Sequence, residues 1–359
     1  MPLLNVVPPP QEKPPSEKVT PGESHDIQSG SRVYTFRDGD WVLEPNQFPP
    51  RRHDFQPIVG NIRPYQEVPV GNMETMRQSI RPSTARPLSR SERYELHTVG
   101  EEISICVKFC DLVYMNPADY NLVEFGSEVI RNCNLSIVRE SSARFEEDSL
   151  CLIAARADHV VYVVIRGSSS YHELQSTLNG VKLSPSAETV YVHGGFLNHA
   201  INGLEPHIRL KLQLIDPCSR LYFTGHGSGG AVATILAPLI AKSFPRATVT
   251  CLTFGSPIPG DKHFSQWVRE TIKTHYRVVL DTDIFPLLPV SANYTQCGEA
   301  LCVRTSNGDE HPILEIWPEI SDSRWIFSVE NLLSSVPHTS VMSSVKTYCH
   351  QICVVMDNL

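Results

Sequence analysis

The stretch of this chain best suited to chemistry is LYFTGHGSGGAVATILA, from Leu221 to Ala237. A β-prone run ends in glycine, a glycine-rich turn follows, and a helix of small residues begins. This is the setting of a nucleophile elbow, G-x-S-x-G, in which a sharp strand-to-helix turn lifts one side chain to the sheet's edge in strained backbone geometry. Glycines on either side let strand and helix pack closely. The N-terminus of the following helix favours negative charge developing beside it. Metal chemistry has no comparable signal. The ten cysteines are scattered, and neither close pair (Cys297 with Cys302, Cys349 with Cys353) has a partner CxxC or a nearby histidine cluster. No metal and no cofactor is predicted. Cys151 and Cys251 lie in apolar runs and are expected to pack in the core. Cys349 and Cys353 stand about one helical turn apart.

The elements that must position such an elbow alternate along the chain. Two strands, NLSIVRE and SLCLIAA, precede HVVYVVIRG, a β-branched run of the kind buried on both faces of a sheet. A helix is predicted from Gly195 to Leu214, then the strand RLYFTG, the helix AVATILAPLIAKSF, the strand TVTCLTFG and the helix KHFSQWVRETI. The strand HYRVVLD follows. CVRTSNGDEHPILEI reads as a hairpin turning at Asn307-Gly308, and SVMSSVKTYCHQICVVM as a closing helix. Strands alternating with helices predict an α/β fold: a mostly parallel central sheet with helices on both faces.

That domain is expected over 91–359. Residues 1–90 hold 15 of the 28 prolines and no long apolar periodicity, so they are expected to form a Pro-rich, largely disordered arm. RVYTFRDGDWVLE is the exception. Asp38-Gly39 separates two β-prone runs there, and a short hairpin is predicted over 32–44. The formal net charge of −8, with no basic face, excludes nucleic acid as the main partner. No apolar run reaches the roughly 18–20 residues that a membrane span needs. The N-terminal residues have neither the basic start nor the apolar stretch of a signal peptide. With scattered thiols, these features predict a cytoplasmic protein.

The elbow and its surroundings resemble the class-three, fungal-type triacylglycerol lipases, whose elbow usually reads T-G-H-S-x-G-G-A. Thr224, Gly225, His226, Gly227, Ser228, Gly229, Gly230 and Ala231 occupy those columns. VIRGSSS at Val164–Ser170 is similar to the family's strand and oxyanion segment, and VHGGF at Val192–Phe196 to its V-H-x-G-F. TFGSPIPGDKHF at Thr253–Phe264 and DIFPLLP at Asp283–Pro289 match two further motifs. His338 falls where the family has its late histidine. The resemblance implies an α/β-hydrolase fold, Asp283 as the acid, His338 as the base, and oxyanion donors at Ser168 and the backbone N–H of Ser228. It also implies an acyl-lipid or ester ligand.

One column departs from the family. Where its nucleophilic serine stands, this chain has Gly227. A Ser-His-Asp machine needs an oxygen that imidazole can deprotonate, and glycine supplies none. It does relieve the strain that the elbow imposes on a residue with a Cβ, about 1–3 kcal/mol. Ser228 is the alternative nucleophile. It stands one residue further on, rotated by about 100° and advanced by about 1.5 Å if the helix has begun, where a misplacement of about 1 Å costs on the order of 10²-fold in rate.

Two readings follow. In the first, the chain is lipase-like, its hydrolysis lost or greatly weakened, with a lipid- or protein-binding role retained. In the second, it is an active ester hydrolase using Ser228, Asp283 and His338. His311 and His350 compete with His338 for the base position. His193 and His226 are expected to pack beside the elbow without a catalytic role. Residues 169–178 fall where the family carries its lid, although its usual Asn-Trp and Asp signatures are absent. The Pro-rich arm could also recruit a protein partner through polyproline-like segments.

Overall fold

A computed structural model describes the strands 33–37 and 40–44 and, with gaps, residues 82–357. The gaps are 83, 118–119, 121–131, 141–148, 169–189, 191, 216–218, 282, 284, 288–293, 305–311 and 319–339. The first two strands, β1 (Val33–Arg37) and β2 (Asp40–Glu44), pair antiparallel with Phe36 opposite Trp41 and Arg37 opposite Asp40. Asp38 and Gly39, the turn of the expected hairpin, lie outside the described residues. The rest of the arm, 1–32 and 45–81, lies outside the described residues.

A short strand, β3 (Arg86–Pro87), leads into α1 (Arg90–Leu112). Ser89 starts that helix with a capping box. Its Oγ accepts the Glu92 N–H, and Glu92 Oε2 accepts the Ser89 N–H at 2.8 Å. Arg86 grips the same carboxylate with two 2.8 Å hydrogen bonds. These contacts, led by the one from Arg86, hold the Glu92 carboxyl down at about 2.

The sheet continues with β4 (Asn134–Glu140), β5 (Ser149–Ala155) and β6 (Val160–Ile165). The helical segment after β6 is broken where one continuous helix is expected. It runs as α2 (Gly194–Asn198), a π-helical turn over His199–Leu204, then α3 (Glu205–Leu212). Pro206 explains part of this. Lacking an N–H, it cannot donate to the Asn202 carbonyl one turn back, and the chain widens where that bond is missing.

Next come β7 (Arg220–His226), α4 (Ser228–Ser243), β8 (Thr248–Phe254), β9 (Gly260–Asp261), α5 (Lys262–Thr271) and β10 (Thr274–Leu280). The last elements are β11 (Tyr294–Thr295), β12 (Ala300–Arg304), β13 (Ile313–Trp317) and α6 (Ser340–Asp357).

Among the described residues, nine strands form one sheet in the order β3-β13-β12-β10-β8-β7-β6-β5-β4. The five central strands, β12, β10, β8, β7 and β6, are mutually parallel, and the edges on both sides are antiparallel. β12 and β13 form the predicted antiparallel pair, while their turn lies outside the described residues.

Alternate residues of β6 separate two cores. Val161, Val163 and Ile165 face α2 to α5, packing with Phe196, Ile208, Ile235 and Phe264. Val160, Tyr162 and Val164 face α1 and α6, packing with Ile103, Phe109, Tyr348 and Ile352. Every residue of β6 is buried, which is why its sequence is apolar without alternation. Because the central strands are parallel, their C-terminal ends share one rim, and the candidate site lies there.

Candidate active site

β7 runs straight into the elbow. Gly227 has φ 57° and ψ −131°, a conformation hostile to any residue with a Cβ. The turn is held from both sides: the Gly227 N–H donates to the Phe254 carbonyl at 2.9 Å, and the Gly227 carbonyl accepts from the Gly230 N–H at 2.9 Å. Among the described residues, a Cβ placed on Gly227 meets nothing within 4 Å, so what disfavours one there is the backbone.

Ser228 opens α4 and is 8% exposed. Its Oγ accepts the Ser168 N–H at 2.8 Å and shares a 2.9 Å hydrogen bond with the Ser168 hydroxyl. Ser168 ends the described part of the loop after β6 and is itself buried. The structure thus brings together the two serines considered as oxyanion donors. Among the described residues, the hydrogen bonds of Ser228 Oγ go to Ser168. Among the described residues, that hydroxyl lies against a backbone donor.

Asp283 follows β10 and is held at both oxygens. Oδ1 accepts the Phe285 N–H at 2.9 Å, and Oδ2 accepts the Tyr348 hydroxyl at 2.7 Å. The Tyr348 oxygen in turn accepts the Leu280 N–H at 3.1 Å. Burial pushes the Asp283 carboxyl up to about 6, against the opposing effect of Tyr348 and then of Phe285. Gly255, the residue after β8, makes room for this arrangement. Its φ is 59°, and a Cβ there would come within 2.6 Å of Asp283 Oδ2 and 2.9 Å of the Tyr348 hydroxyl.

His226 lies behind the elbow. Its Nδ1 hydrogen-bonds the Tyr114 hydroxyl at 3.1 Å, and its ring meets Tyr348 edge-on at 5.5 Å between centroids. Burial pushes this imidazole down to about 4, so it is neutral at pH 7. His193 is buried, its ring 4.5 Å from that of Phe196. His350 is exposed on α6, two residues beyond Tyr348. Two helical steps turn it about 200° away from the face that reaches Asp283. His338, His311 and the lid segment 169–178 lie outside the described residues.

Sequence reasoning did not find Tyr348 or Tyr114. Tyr348 is 65 residues from the acid it holds, inside an apolar helix, and no spacing rule selects it. Tyr114 stands 112 residues from His226. Among the described residues, no group of three or more His, Cys, Asp or Glu side chains could hold a metal ion.

Residues 162–293 match the family profile Lipase (class 3). The chain is similar to the lipase of Rhizomucor miehei, 26% identical over 225 residues, covering 60% of this chain and 59% of that one. It is also similar to the secreted mono- and diacylglycerol lipase 1 of Fusarium solani, 31% identical over 134 residues, covering 36% of this chain and 39% of that one. The chain thus spans less than two thirds of the length of these curated relatives. The crystal structure of the lipase from Rhizopus microsporus var. chinensis superposes with a TM-score of 0.52 at 19% identity, covering 73% of this chain and 88% of that one. The architecture is the α/β-hydrolase fold. The matched segment holds the loop at Ser168, the elbow at Gly227 and the acid position at Asp283, and over that segment the chain is similar to the class-three lipases.

Proposed function

We propose that this chain is a lipase-like protein whose ester hydrolysis is lost or greatly weakened, and that it keeps the family's acyl site for binding. The observation that carries this reading is the glycine at the centre of the elbow. Gly227 offers no attacking atom where imidazole and acid would act on one. The position of Ser228 supports the same reading. Ser228 is 8% exposed and its hydroxyl is bonded to the Ser168 N–H, a group that an active hydrolase would need free for the developing oxyanion.

The ligand is an acyl lipid or a carboxylic ester, in keeping with the relatives' printed activities. The compartment is cytoplasmic, in keeping with nine described cysteines that are all free. The Pro-rich arm adds a site for a protein partner.

The test is hydrolysis of a short-chain nitrophenyl ester by the wild type, Gly227→Ser and Ser228→Ala. The expected result is near-background turnover in the wild type, unchanged in Ser228→Ala and raised by orders of magnitude in Gly227→Ser. A triad without its nucleophile keeps only about 10³–10⁴ over water, against about 10⁶ more when intact. Robust wild-type turnover that Ser228→Ala abolishes would overturn the reading and assign catalysis to Ser228. A folded Gly227→Ser protein with no gain, and no binding of a fluorescent fatty acid by the wild type, would remove the acyl site altogether.

A further inference from the structure

Asp283 meets two stretches of backbone that are far apart in the sequence. Gly255, after β8, leaves room for its Oδ2, and Phe285, in the 3₁₀ turn Phe285–Leu287, donates to its Oδ1. One side chain ties these stretches together. Gln296 is 1% exposed, and its Nε2 donates to the Pro286 carbonyl at 2.7 Å and to the Ser256 carbonyl at 3.0 Å. Ser256 adjoins Gly255, and Pro286 adjoins Phe285. The two carbonyls fix which end of the amide is nitrogen, because an amide oxygen there would face like charge on both sides.

The base of this clamp is anchored in turn. Thr295 pairs with Gly260 where β9 meets β11. Ser265 Oγ, on α5, donates to the Gln296 carbonyl at 2.9 Å, and Arg269 donates to Ser265 Oγ at 2.7 Å. Arg277, on β10, donates to the Gly298 carbonyl at 2.8 Å. A side chain whose own backbone is pinned by a strand, a helix and the sheet holds two loops at a set separation.

We infer that Gln296 is a positioning residue for the acid: it clamps the loop after β8 to the turn after Asp283, and so sets where the carboxylate points and how little water reaches it. The inference rests on the proposed function only in taking Asp283 as the acid position. Gln296 acts through backbone, by way of Ser256 and Pro286. A primary amide suits the task because one nitrogen supplies two N–H donors and brings no charge into a buried place. Leucine would fill similar space but strand two buried carbonyls. A carboxylate would set negative charge against both.

The experiment uses the full chain with carbon-13 at the aspartate side-chain carboxyls. Asp283 is identified as the resonance that Asp283→Asn removes. The wild-type carboxyl, raised to about 6 by burial, is the reference. In Gln296→Leu the turn is released and water reaches the carboxyl, so its proton affinity should fall at least about tenfold, towards that of an ordinary aspartate. Ile208→Val lowers stability through a small cavity under α3 and should leave the affinity within about twofold. Tyr348 faces the same carboxyl from α6 in all three proteins, so it does not produce the difference. A folded Gln296→Leu protein with an unchanged Asp283 titration would overturn the inference and leave Gln296 as core filling. The wild type supplies a second measurement that stands even if the variant fails to fold. With both hydrogens bonded, the Gln296 side-chain NH₂ should exchange with deuterium at least about 100-fold more slowly than exposed glutamines. Exchange as fast as theirs would mean that the clamp is open. Neither readout needs turnover, so a Gly227→Ser protein without hydrolysis bears on the proposed function and leaves this inference standing.

Discussion

The hydroxyl of Ser228 accepts the Ser168 N–H at 2.8 Å, across 60 residues of sequence. Two residues that catalysis would use separately are joined here as a structural pair. The bond satisfies a buried backbone donor at the rim of the sheet, and it holds the loop after β6 against the start of α4.

Ser228→Ala should therefore reduce stability rather than activity. Removing the oxygen leaves the buried Ser168 N–H without this acceptor, a loss of about 1–3 kcal/mol. Urea unfolding of wild type and variant measures it. No change in midpoint would mean that the loop readily finds another acceptor.

Tyr348→Phe should destabilise the fold more at pH 8 than at pH 5. The phenol donates to Asp283 Oδ2 and accepts from the Leu280 N–H, so its loss strips both groups, at about 1–3 kcal/mol. The hydrogen bond favours the ionised carboxylate, so the loss should be greatest where Asp283 is charged. Denaturation at the two pH values checks the order.

Asp283→Asn should gain on the wild type as pH rises from 4 to 7. In the fold the carboxyl is raised to about 6, mainly by burial. Between its unfolded value of 3.8 and that figure, the folded state holds a proton that the unfolded chain has released, so wild-type stability falls as pH rises. Asparagine cannot ionise and removes this slope, a relative gain of order 2 kcal/mol. His226, pushed down to about 4, gives a slope of opposite sign below 6.5, present in both proteins, and so cancels in the difference. A stability difference that stays flat over this range would contradict the assignment.

Gly255→Ala should cost clearly more than Gly227→Ala. Both positions have positive φ, 59° and 57°, and both substitutions carry the backbone penalty of about 1–2 kcal/mol. Only at Gly255 does the new methyl also strike Asp283 and Tyr348. Paired thermal melts test this. Equal losses would show that the carboxylate and phenol move aside without cost.

The sheet was largely legible in the sequence because burial on both faces writes itself as apolar β-branched runs. NLSIVRE and SLCLIAA are strands over the residues read, and HVVYVVI contains the whole of β6. The elbow was legible because its glycines answer to a backbone need: Gly227 has the positive φ that the motif demands. The π-helical turn at His199–Leu204 was missed because apolar periodicity reports which face is buried, not how the carbonyls are paired. The partners of the site were missed for another reason. Tyr348 reaches Asp283, and Tyr114 reaches His226, only once distant strands and helices have been assembled. A hydroxyl in a sequence carries no mark of the acceptor it will meet.

The open space beside Gly227 bears on how this protein can change over generations. Among the described residues, a Cβ there meets no neighbouring atom within 4 Å, so those surroundings need not move to receive it. Where the glycine codon is GGU or GGC, one base change gives AGU or AGC, so glycine and serine exchange in a single mutational step. Among the described residues, the local packing sets no barrier against that exchange.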